Sequence, residues 1–174
     1  VNIGTGEGTG TNNTRVGDGA LSNLSTGSNN TALGYRSGES TTTHSLNTFV
    51  GTLAGLNATS TENTAVGYAA LYSGSAQQSS NTAIGSKSLY SITLGGSNTA
   101  VGRSAGYTLT SGSYNTMIGR SAYSSSATVT NEITLGDGAD KSFRIPGSSF
   151  YINGGSEGTT GTKVGINISS PAAQ

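Results

Sequence analysis

A five-residue phrase that returns at an almost fixed interval constrains this chain more than any other feature. The phrase is Asn-Thr, then one variable residue, then a branched apolar residue and Gly. Its closing glycines are Gly17, Gly34, Gly51, Gly67, Gly85, Gly102 and Gly119, spaced by 16 to 18 residues. An eighth copy, at 132–136, keeps the step of 17 but lacks the Asn-Thr pair. Self-similarity at a fixed period is typical of a solenoid, in which each repeat stacks on its neighbours.

Each copy of the phrase predicts a short β-strand. It ends in a branched residue and is bounded by turn formers, as strands often are. Gly and Ser are too dense for helices, and no apolar period of 3.6 residues is present. A column of small residues follows three positions after each glycine: Ala20, Ser37, Ala54, Ala70, Ser88, Ala105 and Ala122. We therefore predict an all-β parallel β-roll, or solenoid, of 17-residue repeats with a second, shorter strand in each coil.

Alternation along a strand divides the phrase between two faces. Thr and the branched residue share one face, whereas Asn, the variable residue and Gly share the other. The branched column is predicted to form a continuous apolar ladder: Val16, Leu33, Val50, Val66, Ile84, Val101, Ile118 and Leu135. The repeated Asn is predicted to form a stacked amide ladder.

The composition excludes several classes of partner. The 174 residues are 32% hydrophobic and 9% charged, with 8 basic and 8 acidic side chains. Neutrality argues against nucleic acid and anionic membranes, which attract clustered Lys and Arg. No apolar stretch approaches the roughly 20 residues of a membrane span, so no membrane insertion is expected. The absence of Cys suits an extracellular bacterial or viral protein.

The repeat pattern divides the chain into two predicted domains. Residues 1–130 form the β-roll, with a partial coil at its N-terminus, where Ile3-Gly4 echoes the repeat. Residues 131–174 contain strand-like pieces separated by Gly and Pro. A solenoid needs an atypical terminal unit over its last open edge. We predict that 131–174 is this β cap and a connector to a further domain, and both ends look cut from a longer chain.

Each coil offers few apolar side chains against the entropy cost of ordering 17 residues. We therefore predict that the roll is stabilised by packing against copies of itself, through its small-residue face or its branched ladder. This argument predicts a homo-oligomer, and three-fold symmetry does not follow from it.

The Asn-Thr-Ala-Val-Gly copies resemble the head repeats of trimeric autotransporter adhesins, over about 13–136. The stretches 63–71 (NTAVGYAAL) and 163–171 (KVGINISSP) are similar to bacteriophage tail fibres and related bacterial surface fibres. This resemblance implies a left-handed roll, a homotrimer, and an extended adhesive fibre on a cell surface or a virion tail.

Motifs that suggest chemistry have ordinary explanations here. Residues 102–106 (GRSAG) match a nucleophile elbow, which requires a strand-turn-helix setting and a His base. The column of Ser104 holds unrelated residues in the other repeats, and the single His, His44, lies in a Ser- and Thr-rich loop. Asp137 belongs to a single Gly-Asp segment, whereas calcium-binding repeats depend on repetition. We predict no catalytic residue, no metal and no cofactor.

Two columns contain candidate ligand-binding residues. Tyr72, Tyr90 and Tyr107 stand five residues after their glycines in three consecutive repeats, about 4.8 Å apart in a stack. They either cover a loop edge or form a flat sugar-binding strip. Arg103 and Arg120 share the column directly after the glycine and are candidate surface contacts.

These features favour a non-enzymatic adhesive fibre segment that binds a cell-surface glycan or protein receptor. The alternative is an ice-binding solenoid, because a second column is made of threonines: Thr14, Thr31, Thr48, Thr64, Thr82, Thr99 and Thr116. Ice binders usually expose two such columns on one face. The branched residue occupies the second position and is expected to be buried, which argues against ice binding. A depolymerase is a distant third, because the carboxylates form no column that could pair.

Overall fold

A computed structural model describes residues 3–4, 9–73 and 79–137. They form an all-β solenoid with one three-residue strand in each repeat, and they contain no helix. The strands are β1 (Ile3–Gly4), β2 (Thr14–Val16), β3 (Thr31–Leu33), β4 (Thr48–Val50), β5 (Thr64–Val66), β6 (Thr82–Ile84), β7 (Thr99–Val101), β8 (Thr116–Ile118) and β9 (Ile133–Leu135). The predicted fold class and repeat length are confirmed.

One sheet contains all nine strands in sequence order. Strands β2 to β9 are parallel, and each step advances the register by one repeat, so that Thr82 pairs with Thr99 and Ile84 with Val101. Strand β1 instead runs antiparallel to β2. The Ile3–Gly4 segment therefore does not extend the parallel register of the repeats.

The glycine that closes each phrase is required by its backbone. Gly85 has a φ of 128°, a conformation that only glycine adopts readily. A Cβ atom at this position would lie 2.5 Å from the carbonyl oxygen of Gly102 in the next coil. Glycine thus allows the chain to leave the sheet while adjacent coils remain in contact.

The predicted second strand of each coil is wrong. The small-residue segments lie in turns instead. In the coils from Ala20 to Ala105, the residues on both sides of the small residue have left-handed backbone conformations. In one coil Lys87 has a φ of 58° and Leu89 a φ of 46°. A left-handed residue at every second position prevents the segment from forming an extended strand. Backbone bonds between coils are nevertheless present at this level; for example, the Leu89 amide donates to the Ala105 carbonyl at 2.9 Å.

The core lies under the sheet and is lined by the variable residue of six phrases, from Ala32 to Met117. Ala32, Phe49 and Met117 are fully buried at that position. The branched residues point outward, and Leu33 and Ile118 are 46% and 45% exposed. The expectation that the branched column is buried is therefore wrong for the single chain. Strand alternation separated the faces correctly, but the narrow interior admits the alanine-rich face.

Large core residues fill the space beside glycines in their own coil and in neighbouring coils. Phe49 occupies a position that is Ala in most coils, and its ring fills the space beside Gly38 and Gly55. Where the strand residue is Ala65 or Ala83, the same coil has Leu71 or Leu89 at the position of Gly55, and both leucines are fully buried. A large residue on the strand and a leucine in the turn are therefore two ways in which the core is filled.

A ladder of buried asparagines runs the length of the stack and confirms the predicted amide ladder. The ladder residues are Asn13, Asn30, Asn47, Asn63, Asn81, Asn98 and Asn115. Each side-chain oxygen accepts from the backbone amide of the next asparagine, at 2.9–3.0 Å. Asn98 Nδ2 also donates to Asn81 Oδ1 at 3.0 Å and to the Gly112 carbonyl at 2.8 Å. The ladder therefore satisfies polar groups that the core would otherwise leave unpaired.

Glu132 replaces asparagine at the last rung. Its amide donates to Asn115 Oδ1 at 2.9 Å, and its Oε1 accepts from the Ser125 amide at 2.8 Å and the Thr134 hydroxyl at 2.9 Å. The Ser125 hydroxyl is the largest influence on the carboxyl; partial burial opposes it, and the two other bonds reinforce it. Together they hold the pKa of Glu132 below its usual range.

The Glu132 carboxylate predicts acid sensitivity at this end of the stack. A depressed folded-state pKa stabilises the fold above the unfolded value of about 4.3, and this contribution is lost as the pH falls through the folded-state pKa. We expect Glu132→Gln to reduce the loss of thermal stability between pH 6 and pH 2. Asp18→Asn, which alters an exposed carboxylate, is the matched control. An equal effect of the two substitutions would contradict the prediction.

The sheet continues past the predicted domain boundary at residue 130. Strand β9 pairs with β8 in the register of the repeats, with Ile133 beside Thr116 and Leu135 beside Ile118. Most of the predicted cap and connector, 131–174, lies outside the described residues.

Candidate functional site

The outward face of the sheet presents two parallel columns, which we name the outer strip. One column contains the seven threonines from Thr14 to Thr116, and the other contains the eight branched residues from Val16 to Leu135. Ile84 is 39% exposed and Leu135 is 49% exposed. Neither column contains a charged residue. Contiguous apolar surface of this kind is typical of an interaction site.

A second feature is the tyrosine stack, formed by Tyr72, Tyr90 and Tyr107. The ring centroids of Tyr72 and Tyr90 are 4.8 Å apart with an interplanar angle of 7°. Those of Tyr90 and Tyr107 are 5.2 Å apart with an angle of 14°. Burial, followed by the neighbouring Tyr72 and Tyr107, raises the pKa of Tyr90 above its usual value. The predicted column is confirmed, and its binding of a ligand stays a prediction.

A cleft of about 410 Å³ opens beside one end of this stack. It crosses four coils and is lined by Tyr68, Ser86, Lys87, Arg103, Ser104, Tyr107 and Tyr123. Three tyrosines, two serines and two cations thus line one space. Its volume falls within the range of small-molecule sites.

The charges around the cleft are all positive. Lys87 and Arg103 lie on adjacent coils, both exposed. Lys87 Nζ is 6.0 Å from the ring centroid of Tyr90, so the ammonium lies over the tyrosine stack. Among the described residues, no carboxylate lines the cleft. The cleft is therefore suited to an anion.

The two predicted arginines have different environments. Arg103 lines the cleft, whereas Arg120, one coil further along, donates from Nη2 to Asp137 Oδ2 at 2.8 Å. Asp137 directly follows Gly136 and thus occupies the column of Arg120. The Arg120 guanidinium is therefore paired with the equivalent position of the next coil, and Arg120 does not line the cleft.

The backbone that lines the cleft is fixed by bonds between coils. The Lys87 amide donates to the Tyr68 carbonyl at 2.8 Å, and the Ser104 amide donates to the Ser86 carbonyl at 2.9 Å. Lys87 and Ser104 both have a φ of 58°. This repeated left-handed turn directs the side chains after each glycine to one edge of the stack. The site is thus positioned by the repeat itself.

Sequence reasoning identified Arg103 and Tyr107 but missed Lys87 and Tyr123 as lining residues. Tyr68 was recognisable, because it shares the column of Arg103. Lys87 and Tyr123 stand in other columns, at two and four residues after their glycines. Their convergence depends on the turn that follows the sheet, and the predicted second strand would have separated them.

The motifs that suggest chemistry lie in ordinary surroundings. Ser104 follows β7 in a turn, with no helix after it, so the setting of a nucleophile elbow is absent. His44 contributes its backbone carbonyl, which accepts from Asn30 Nδ2 at 2.8 Å. Within the described ranges, no group of three acidic, His or Cys side chains is placed to hold a metal ion.

In the part of the chain that the structure describes, no helix has the length and apolar character to span a membrane. Comparison of the whole chain with protein-family models, curated proteins and solved structures finds no match.

Proposed function

We propose that this chain is a segment of a non-enzymatic adhesive fibre, in which the outer strip packs against copies of the same chain. The observation that carries the proposal is the outward direction of the branched column. Branched apolar side chains point outward at eight levels, of which Leu33, Ile84, Ile118 and Leu135 are exposed and the four valines half-buried, and no charge interrupts the column. Their burial between copies would supply the apolar stabilisation that a narrow coil lacks.

The periodicity of the outer strip favours a second copy of the same chain as its binding partner. Every step of the parallel sheet repeats the same register, so a second copy offers the same spacing of methyl groups along its whole length. An unrelated globular partner would match only a few levels. Closed point-group symmetry is the usual outcome for identical chains. A homotrimer agrees with the resemblance to trimeric fibres.

The test is the mass in solution and its dependence on the outer strip. We expect a native mass three times 17.2 kDa for the wild-type chain, and a monomer for the double variant Ile84→Lys/Ile118→Lys, because the lysines would be buried in the interface. Thr108→Lys, an exposed position off the outer strip, is the matched control and should remain trimeric. A monomeric wild-type chain at micromolar concentration would refute the proposal.

A second candidate function, ice binding, gains support from the same face. The threonine and branched columns are both outward, about 6.6 Å apart along each strand and about 4.8 Å apart between strands. This regular array of hydroxyl and methyl groups removes the sequence argument against ice binding, which depended on burial of the branched column. Thermal hysteresis by a monomer, lost in Thr82→Lys, would favour this candidate. A trimer without hysteresis would favour the fibre.

The adhesive part of the proposal concerns two features outside the outer strip, the tyrosine stack and the cleft. Aromatic faces beside hydroxyl groups are suited to sugar rings, and loops held by a rigid scaffold are common binding sites. The stack and the cleft share no residue with the outer strip. Receptor contact and assembly would therefore use different surfaces. The chain would then act at a cell surface or on a virion, without a cofactor.

A further inference from the structure

We propose that the cleft beside the tyrosine stack binds an acidic sugar, a pyranose that carries a carboxylate, with Lys87 and Arg103 as its charge partners. This inference rests on the proposed receptor-binding function and names the ligand class for it. It depends on four observations: the three tyrosines, the two cations, the hydroxyls and the absence of a lining carboxylate among the described residues.

Lys87 and Arg103 would make the cleft selective for a negatively charged ligand. Arg103 is exposed on one coil and Lys87 on the next, and both border the same 410 Å³ space. The three other described Lys and Arg residues are Arg15, Arg36 and Arg120. Arg36 pairs with Glu39, and Arg120 pairs with Asp137. Lys87 and Arg103 together provide a charge-assisted site for a carboxylate in this cleft.

The tyrosines and hydroxyls favour a sugar as the carrier of that carboxylate. Tyr68, Tyr107 and Tyr123 offer flat apolar faces against which the C–H groups of a pyranose can pack. The Ser86 and Ser104 hydroxyls lie in the same lining and can both donate to and accept from sugar hydroxyls. A simple inorganic anion would use the cations but not the rings.

The site needs little rearrangement to bind. Tyr107 is held by its stack on Tyr90, and the segments that carry Lys87 and Ser104 are bonded to the preceding coils. Fewer side chains must therefore be ordered when a ligand binds. Both candidate sources of the carboxylate, a uronic acid and a sialic acid, fit this chemistry.

The experiment is a glycan array probed with the whole chain, with titrations of the strongest binders by calorimetry. The acidic probes are hyaluronan, alginate and polygalacturonate oligosaccharides for uronic acids, and sialyl-lactose and polysialic acid for sialic acids. Dextran and lactose oligosaccharides are the neutral probes. We expect acidic binding that weakens with added salt, and the two acidic arms identify the source.

Two variants assign the binding to this cleft. Arg103→Ala is expected to weaken the affinity for the acidic probe about 10- to 100-fold, the usual effect of removing a charge-assisted bond. Tyr107→Ala should also weaken it, whereas the control Arg120→Ala, which removes an arginine outside the cleft, should not. Circular dichroism at the working temperature verifies that each variant is folded.

The inference is overturned if no acidic probe binds, if neutral probes bind equally well, or if Arg103→Ala and Arg120→Ala behave alike. These results leave the fibre proposal standing when the native mass is trimeric. Conversely, acidic binding by a monomeric chain would refute the fibre and retain the cleft.

Discussion

Phe49→Ala is expected to lower the free energy of unfolding by about 3–5 kcal/mol, because it removes the only aromatic ring in the described core. The ring fills the space beside two glycines, and a Cβ on Gly38 would lie 2.6 Å from its Cδ2 atom. Neither neighbour has a side chain that could relax into the cavity. Thr52→Ala, an exposed change on the same coil, should alter stability by less than about 0.5 kcal/mol.

The same core offers a compensating substitution. Gly55→Leu alone should be destabilising, because its side chain would overlap the Phe49 ring. The double variant Phe49→Ala/Gly55→Leu reproduces the pairing of Ala65 with Leu71, whose φ of 52° shows that leucine is accommodated in this backbone. We expect an interaction energy of at least about 2 kcal/mol in this cycle.

Urea denaturation at a fixed chain concentration measures all four members of the cycle, since assembly makes stability depend on concentration. Additive effects of the two substitutions would contradict the inference that a leucine in the turn replaces a large residue on the strand. A loss below about 1 kcal/mol for Phe49→Ala would show that the coil collapses around the cavity.

Asn98→Asp is expected to be the most damaging isosteric change in the asparagine ladder. Asn98 Nδ2 donates to Asn81 Oδ1 at 3.0 Å and to the Gly112 carbonyl at 2.8 Å. A carboxylate would place an oxygen against both acceptors and would bring an unpaired charge into a fully buried site. Losses of about 3–5 kcal/mol follow when a buried charge lacks a partner.

Asn98→Ala separates the lost bonds from the added charge. It leaves Asn115 without its 3.0 Å acceptor at Asn98 Oδ1 and the Gly112 carbonyl without a donor. The expected loss is about 3 kcal/mol, at roughly 1–3 kcal/mol for each unsatisfied buried group. Asn23→Ala, an exposed asparagine, is the matched control.

Thermal melting as a function of pH distinguishes the two changes. The deficit of Asn98→Asp should shrink as the pH is lowered, because a buried carboxyl has a raised pKa and its protonated form is neutral and can donate. The deficit of Asn98→Ala should not recover in this way. If all three substitutions had equal effects, the ladder would not contribute to stability as its geometry implies.

The sequence determined the repeat, the strand in each repeat and the division of its residues between two faces. The spacing of the glycines and the alternation of Asn, Thr and the branched residue were enough for that, because a parallel stack superposes equivalent residues. Two columns followed from the same rule, the amide ladder that includes Asn98 and the stack that includes Tyr90.

Only the tertiary structure decided which face of the strand is buried and that Lys87 and Arg103 line the same cleft. Periodicity of two separates Ala83 from Ile84 without stating which one the coil encloses, and the interior space, too narrow for a branched side chain at every level, selects alanine. The cleft that joins Lys87 to Arg103 depends on left-handed turns after each glycine. Those conformations are adopted here by ordinary residues as well as by glycine, so no residue type marks them in the sequence.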